Sequence, residues 1–226
     1  MDPPRWQLQT NVSEADKFVH VCCRCGQFPG TRPALRDITR EAVRTRISDV
    51  AIDLFAEHGF ESVTVEQIAA EVGISARSFH RYFPAKEDAV IGDLTRWGEF
   101  VRDGLASRPT DEPPLVSLRI AFEALLSRPR NAGEEERSKR TMRVLTSTAS
   151  LRARNLEKHL GWAKMLVPVV EARLNGDYAE LRAQTLVQSA LACFDIALST
   201  WAESEGVDAV DLLRRSFATL AAEDVA

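Results

Sequence analysis

"GISARSFHRYFPAKED", residues Gly73 to Asp88, places two arginines, a histidine, a tyrosine and a lysine around two phenylalanines, with a proline just before the lysine. On a helix from Ser75 to Phe83, at 100° per residue, Phe79 and Phe83 point the same way with Ala76 near them. Arg77 and Arg81 fall opposite, flanked by Ser78 and His80, with Tyr82 at the border. The inward residues are apolar and the outward ones are hydrogen-bond donors. Ser75 is a good N-cap, Ile74 and Phe79 have the spacing of a hydrophobic staple, and Pro84 ends the helix.

The surroundings make that face an exception. Residues 36–90 hold seven Lys/Arg and ten Asp/Glu, yet no acid occurs from Ser75 to Ala85. Just upstream, "SVTVEQIAAEVG" (Ser62–Gly73) predicts a two-turn helix. Thr64 and Gln67 form a capping-box pattern, Ile68, Ala69 and Val72 give the apolar face, and Gly73 closes it. Before that, Val43, Ile47, Val50, Ala51, Leu54 and Phe55 trace one stripe of a helix that ends at a left-handed Gly59. A short helix, a tight turn and a second short helix with a donor-rich face make a helix-turn-helix, its second helix sized for the DNA major groove. Arginine pairs bidentately with guanine, Ser, His and Tyr donate to phosphates or base edges, and Lys86 can reach a phosphate. The competing reading is an ordinary solvated face on a helical interaction module with no DNA role.

The chain has 226 residues, 45% hydrophobic and 27% charged, with a net charge of −4. That is globular composition, and any nucleic-acid role must rest on local basic patches. No apolar run approaches the length expected of a bilayer span, and the N-terminus lacks the pattern of a secretory signal. Four cysteines do not make a disulfide framework, so a cytoplasmic setting is expected. "HVCCRC" contains His20, Cys22, Cys23 and Cys25, but no second knuckle accompanies it and Cys193 belongs to an apolar helix. No metal site is expected, and a redox- or metal-responsive arm stays open as an alternative. There is no phosphate-binding glycine loop, no His-Glu-x-x-His and no Gly-x-Ser-x-Gly, so neither an enzyme nor a cofactor is expected.

Residues 1–35 read as a flexible arm, 36–85 as the DNA-binding domain and 86–226 as a second helical domain. A fourth helix runs from Lys86 through Val90, Leu94, Trp97 and Val101 towards Ser107, and "RPTDEPP" breaks the pattern. Helices follow at roughly 114–127, 134–149, 152–174, 178–204 and 208–223, for an all-α chain of about nine helices.

"AIDLFAEHGFESVTVEQIAAEVGISARSFHRYFPAKEDAV" (Ala51–Val90) resembles the DNA-binding domain of the TetR family of transcriptional regulators. The match covers residues 43–90: Phe-x-x-x-Gly-Phe, Thr-Val-x-x-Ile-Ala, Gly-Ile-Ser, an aromatic recognition helix and Phe-Pro-x-Lys-Glu, in order. The resemblance implies DNA contacts from Thr64, Arg77, Ser78, His80, Arg81, Tyr82 and Lys86. His80 stands where the family more often has tyrosine, and Ala85 replaces the usual small hydroxyl residue, which should weaken that cap by roughly 1 kcal/mol.

The resemblance further implies a C-terminal domain that senses a small molecule and dimerises through its last two long helices. "TLVQSALACFDIALSTW" (Thr185–Trp201) is apolar nearly all round and must be covered on two sides, one its own core and the other a partner chain. Leu191, Asp195, Leu198, Leu213 and Phe217 are the interface candidates. Asp195 reads equally as a ligand-recognising carboxylate, an interface group or a solvated edge residue. A homodimer would present two recognition helices about 34 Å apart to a palindromic double-stranded operator. Trp97, Phe100, Phe122, Met142, Trp162, Met165, Phe194 and Trp201 are core or pocket candidates, and their apolar character suits a hydrophobic or amphipathic effector. Arg143, Arg152 and Arg154 are candidates for an anionic head group. "SLRARNLEKHLGWAKML" (Ser150–Leu166) resembles a segment of family members that respond to acyl-thioester-like ligands. The expected mechanism is repression by occupancy, relieved when ligand shifts the fourth helix.

Overall fold

The computed structural model describes residues 35–92, 94–127 and 132–222. The chain divides into two units, 1–43 and 44–226. Of the first, residues 35–43 are described, and they are helical. The expected arm, with His20, Cys22, Cys23 and Cys25, lies outside the described residues.

Among the described residues there are ten helices and no strand: α1 (Leu35–His58), α2 (Val65–Val72), α3 (Ala76–His80), α4 (Lys86–Ile91), α5 (Leu94–Ala106), α6 (Pro114–Leu126), α7 (Ala132–Ser147), α8 (Ala149–Glu171), α9 (Ala179–Glu203) and α10 (Ala209–Ala222). The chain is all-α, as its periodicity predicts. The additional helix arises at Gly92, whose φ of 73° and ψ of −157° interrupt the expected fourth helix. That conformation is open to glycine and closed to most other residues, so α4 stops there.

Ile47, Phe55, Phe60, Ile68, Phe79 and Phe83, all 3% exposed or less, form the core of the N-terminal helices. The capping box is present: Gln67 N donates to Thr64 Oγ1 at 3.3 Å, and Thr64 N donates to Gln67 Oε1 at 2.8 Å. Gly73 closes α2 at φ 82°, with Ile74 N donating back to Ala69 O at 2.9 Å. That six-to-one bond with a left-handed glycine is a Schellman closure, and it sets the sharp turn into α3.

In the C-terminal part α9 is the axis, packed against α6, α7, α8 and α10. Phe122, Trp162 and Phe194 cluster around it, with ring centroids 4.8–6.3 Å apart. By length and composition α9 could cross a bilayer, contrary to the sequence expectation. Ala183, Val187, Ala190, Leu191, Cys193, Phe194, Ala197 and Trp201 instead bury it in the chain's own core. Its C-terminal end is capped from α7. Lys139 Nζ donates to Ser204 O at 2.7 Å and Arg143 Nε to Ala202 O at 3.1 Å, satisfying carbonyls at the negative end of the helix dipole.

The Pro-rich break after α5 is a built corner. Arg108 grips Glu112 bidentately at 2.6 and 2.9 Å, the fully buried Ser117 donates to Glu112 Oε2 at 2.6 Å, and Arg173 donates to Ser117 Oγ at 2.9 Å. The Arg108 hydrogen bond, chiefly, holds the Glu112 carboxyl far below its ordinary value, at about 2. A carboxyl with a depressed folded pKa stabilises the fold above its unfolded pKa and loses that contribution as pH falls through the folded one. Glu112→Gln should therefore cost about 1–2 kcal/mol at neutral pH, with the gap narrowing steadily below about pH 4. Urea melts of both proteins at several pH values measure this, and a gap that stays constant into acid would assign the loss to packing.

Candidate nucleic-acid interface

On α3, Arg77, His80 and Arg81 are exposed, Ser78 and Tyr82 are half-buried, and Phe79 and Phe83 are 0% and 1% exposed. The expected two-faced arrangement is present on a shorter helix. After His80 the backbone tightens, with Arg81 N donating to Ser78 O at 3.2 Å and Tyr82 N to Phe79 O at 2.8 Å. Pro84 forces this, because it disfavours helical geometry at Phe83. Ser75 Oγ accepts from Ser78 N at 3.1 Å, the predicted cap. His80 Nδ1 lies 3.2 Å from Pro84 O. A carbonyl only accepts, so this nitrogen carries a proton. Thr64 is exposed beside α2's first turn.

Two cations hold this unit together, one of them unforeseen. Arg44 on α1 donates to Tyr82 O at 2.6 Å and stacks over the Phe83 ring at 4.5 Å, pinning the end of α3. Its signal is long-range, 38 positions away, and no local pattern marks it. Lys86 directs its ammonium to Phe60 O at 2.8 Å and Val63 O at 3.0 Å, over the Phe60 ring at 4.2 Å. Two of its three protons thus serve the α1–α2 turn, where a phosphate contact was the expectation.

The absent hydroxyl at Ala85 is partly offset from the other direction. Ala85 offers no side-chain acceptor, but Ala85 N donates to Asp88 Oδ2 at 3.0 Å. The other oxygen of Asp88 accepts from Arg154 of α8, Nη2 at 2.7 Å and Nε at 3.1 Å. Ser150 donates to Glu87 at 3.2 Å, and Arg137 and Arg140 of α7 pair with Asp49 and Asp53 of α1 at 3.1 and 2.5 Å. Burial raises the Asp49 carboxyl, with Arg137 pulling it the other way. The arginines of these pairs are at least 40% exposed, so each pair contributes little energy, but together they set register between the reading helices and α7–α8.

The residues considered for effector binding divide by depth. Phe122, Trp162, Phe194 and Trp201 are 3% exposed or less, whereas Trp97, Phe100, Met142 and Met165 are half-buried. Helices α5 and α8 touch at Gly98: a Cβ there would lie 2.2 Å from Met165 Cε and 2.8 Å from Trp162 Cδ1. The proposed anion cradle is already occupied. Arg143 bonds Ala202 O and Glu136, Arg152 bonds Thr146 O, and Arg154 bonds Asp88 and Glu157.

The interface candidates require a correction. Leu191, Leu213 and Phe217 are 1%, 0% and 3% exposed within one chain, so they belong to its core and present no surface to a partner. Asp195 and Leu198 are half-exposed. The apolar residues that α8 and α9 do expose are Leu156, Leu160, Leu181 and Ile196. Cys193 is buried and reduced.

The comparisons agree with this architecture. A family model for "Bacterial regulatory proteins, tetR family" matches residues 47–90, and one for "MftR C-terminal domain" matches 112–224. The mycofactocin biosynthesis transcriptional regulator MftR of Mycobacterium tuberculosis is 31% identical over 183 residues, covering 79% of this chain and 89% of the relative. The HTH-type transcriptional regulator TcmR of Streptomyces glaucescens is 32% identical over 155 residues, 64% of this chain and 68% of the relative. Among solved structures, the fatty acid degradation regulator FadR of Bacillus halodurans superposes with a TM-score of 0.55 at 19% identity, covering 84% and 96% of the two chains. The FadR of Bacillus subtilis, in complex with stearoyl-CoA, gives 0.52 at 21%, covering 77% and 96%. A helix-turn-helix with a donor face on an apolar keel, joined to a helical domain that both sequence models and relatives match, makes this chain a DNA-binding transcriptional regulator of the TetR family.

Proposed function

We propose that the chain acts as a homodimeric repressor of a palindromic operator, released by a hydrophobic or amphipathic small molecule. The observation that carries the reading is the acid-free face on which Arg77, His80 and Arg81 are exposed and Ser78 and Tyr82 half-buried, mounted on the buried Phe79 and Phe83. Arg77 and Arg81 reach base edges, while Thr64, Ser78, His80 and Tyr82 hold the backbone. The third proton of Lys86 reaches a phosphate from the α4 start. Leu181 and Ile196 of α9, with Leu198 beside them, supply the dimer surface in place of the three core residues. The effector occupies the aromatic interior of α5–α9, and a compound with an apolar chain suits that lining. The protein acts by binding, in the cytoplasm, without catalysis.

The test is a titration of Arg81→Ala and Lys86→Met against an operator chosen by selection from random DNA, at several salt concentrations. Arg81→Ala should weaken specific binding by about 1–3 kcal/mol and relax the preference at one base pair. Lys86→Met should weaken all sequences alike and lower the salt slope by about one. Unchanged binding by Arg81→Ala would remove the base-reading assignment, and DNA binding indifferent to Arg77 and Arg81 together would favour a protein-interaction role for the face.

A further inference from the structure

Between α8 and α9 lies a polar cluster inside an otherwise apolar seam. Asn155 and His159 are 8% and 7% exposed. Asn155 Nδ2 donates to Asp195 Oδ1 at 2.9 Å, but Asn155 Oδ1 and His159 Nε2 have no hydrogen-bond partner. His159 Nε2 stands 3.8 Å from Asp195 Oδ1, beyond hydrogen-bond reach. Lys158, half-buried, places its ammonium 5.2 Å over the Trp162 ring and takes no hydrogen bond among the described residues. Burial pulls the Lys158 ammonium down to about 8 against the opposing pull of Asp195, and burial, then Lys158, lowers His159, so the imidazole is neutral at physiological pH.

Native cores rarely leave two polar atoms unmet within one helical turn of each other. Trp162, one turn on, belongs to the aromatic trio with Phe122 and Phe194, so the cluster lies at the polar end of an apolar surface. Its formal charges cancel, Lys158 against Asp195. A carboxylate or phosphate entering here would face Asp195, and an ammonium would face Lys158. A neutral group that both donates and accepts meets neither penalty: its N–H or O–H satisfies Asn155 Oδ1, and its carbonyl accepts a hydrogen bond from Lys158. The arginines that would hold an anionic head group are paired elsewhere, as described above.

We propose that Asn155, Lys158, His159 and Asp195 form the hydrogen-bonding end of the effector site and select an uncharged donor–acceptor group, such as an amide, at the end of an apolar ligand. The proposal rests on the effector-binding reading of the C-terminal domain and assigns the chemistry of one end of that site.

The experiment compares three probes with one tail, decanamide, decanoate and decylamine, by calorimetry on the full-length protein. Decanamide should bind at least about tenfold more tightly than either charged probe. Asn155→Leu and His159→Phe should each erase that preference, weakening decanamide binding at least about tenfold. Binding of all three probes with equal affinity, or a preference for decanoate, overturns the proposal and leaves the effector reading standing. Failure of every probe to bind counts against the effector reading and the proposal together. Sedimentation of Asn155→Leu provides the remaining arm: a changed dimer constant with an intact amide preference would place the cluster in a subunit interface and overturn the assignment. As a folding control, both variants should retain a cooperative melting transition.

Discussion

Phe79→Ala is expected to abolish specific DNA binding without touching a single donor on the reading face. The side chain is fully buried, its ring lies 5.8 Å from Phe83, and its amide and carbonyl hold both ends of α3 together. Truncating a buried phenylalanine costs about 3–5 kcal/mol, part lost transfer energy and part the cavity left behind. Helix α3 has five residues, far too few to persist by propensity, so it exists only because its apolar side is gripped. The neighbouring Arg77→Ala, at an exposed position, should alter stability by no more than about 0.5 kcal/mol while still weakening DNA binding. Urea melts and DNA titrations on the same samples separate the two effects. If Phe79→Ala retained wild-type stability, Phe79 would not be the keel of the reading helix.

Gly98→Val should be the most damaging single change in the C-terminal part. An ideal Cβ at this position would sit 2.2 Å from Met165 Cε, and 2.8 and 2.9 Å from Trp162 Cδ1 and Nε1. The methionine end can swing away at small cost. The indole cannot, because Trp162 is 3% exposed and packed against Phe122 and Phe194. Overpacking of this kind costs about 3 kcal/mol, and the helix propensity that valine brings over glycine recovers only a few tenths. Thermal unfolding measures the loss, and tryptophan fluorescence should report the displaced ring. Gly98→Ala, with two fewer methyl groups, should cost less. A valine variant as stable as wild type would mean that α5 and α8 slide apart readily at this crossing.

How much of this was legible beforehand depended on the range of each signal. Ser75, Thr64 with Gln67, Gly59 and Gly73 act within four or five residues, so their spacing in the chain is their geometry. The same holds for the two faces of α3, which follow from helical angle alone. The apolar pattern runs to Phe83, but α3 ends at His80, because ahead of Pro84 the backbone tightens through Arg81 and Tyr82. The break at Gly92 was missed because the stripe from Val90 to Val101 reads through it. Arg44, Lys86 and Arg154 were illegible as clamps, since each bonds a residue 23 to 66 positions away. Leu191, Leu213 and Phe217 are core residues for a different reason. A helix apolar on every side says how many sides are covered but not by whom, and α10, which carries Leu213, covers one side of α9 from within the same chain.

The carboxylate of Asp88 divides its two oxygens between Ala85 and Arg154. Anyone exchanging reading heads between regulators of this kind therefore meets a compatibility requirement. A foreign head grafted ahead of α5 must bring an acid at the third position of α4, or Arg154 loses its main anchor while the graft's own first turn goes uncapped. The acidic pair at 49 and 53 must likewise arrive in phase with Arg137 and Arg140. Chimeras cut at Gly92, after these residues, inherit the foreign half of every such pair, whereas a cut before Pro84 keeps the native Asp88. The joint best suited to recombination thus lies between the reading helix and Pro84, upstream of the break in the helical backbone.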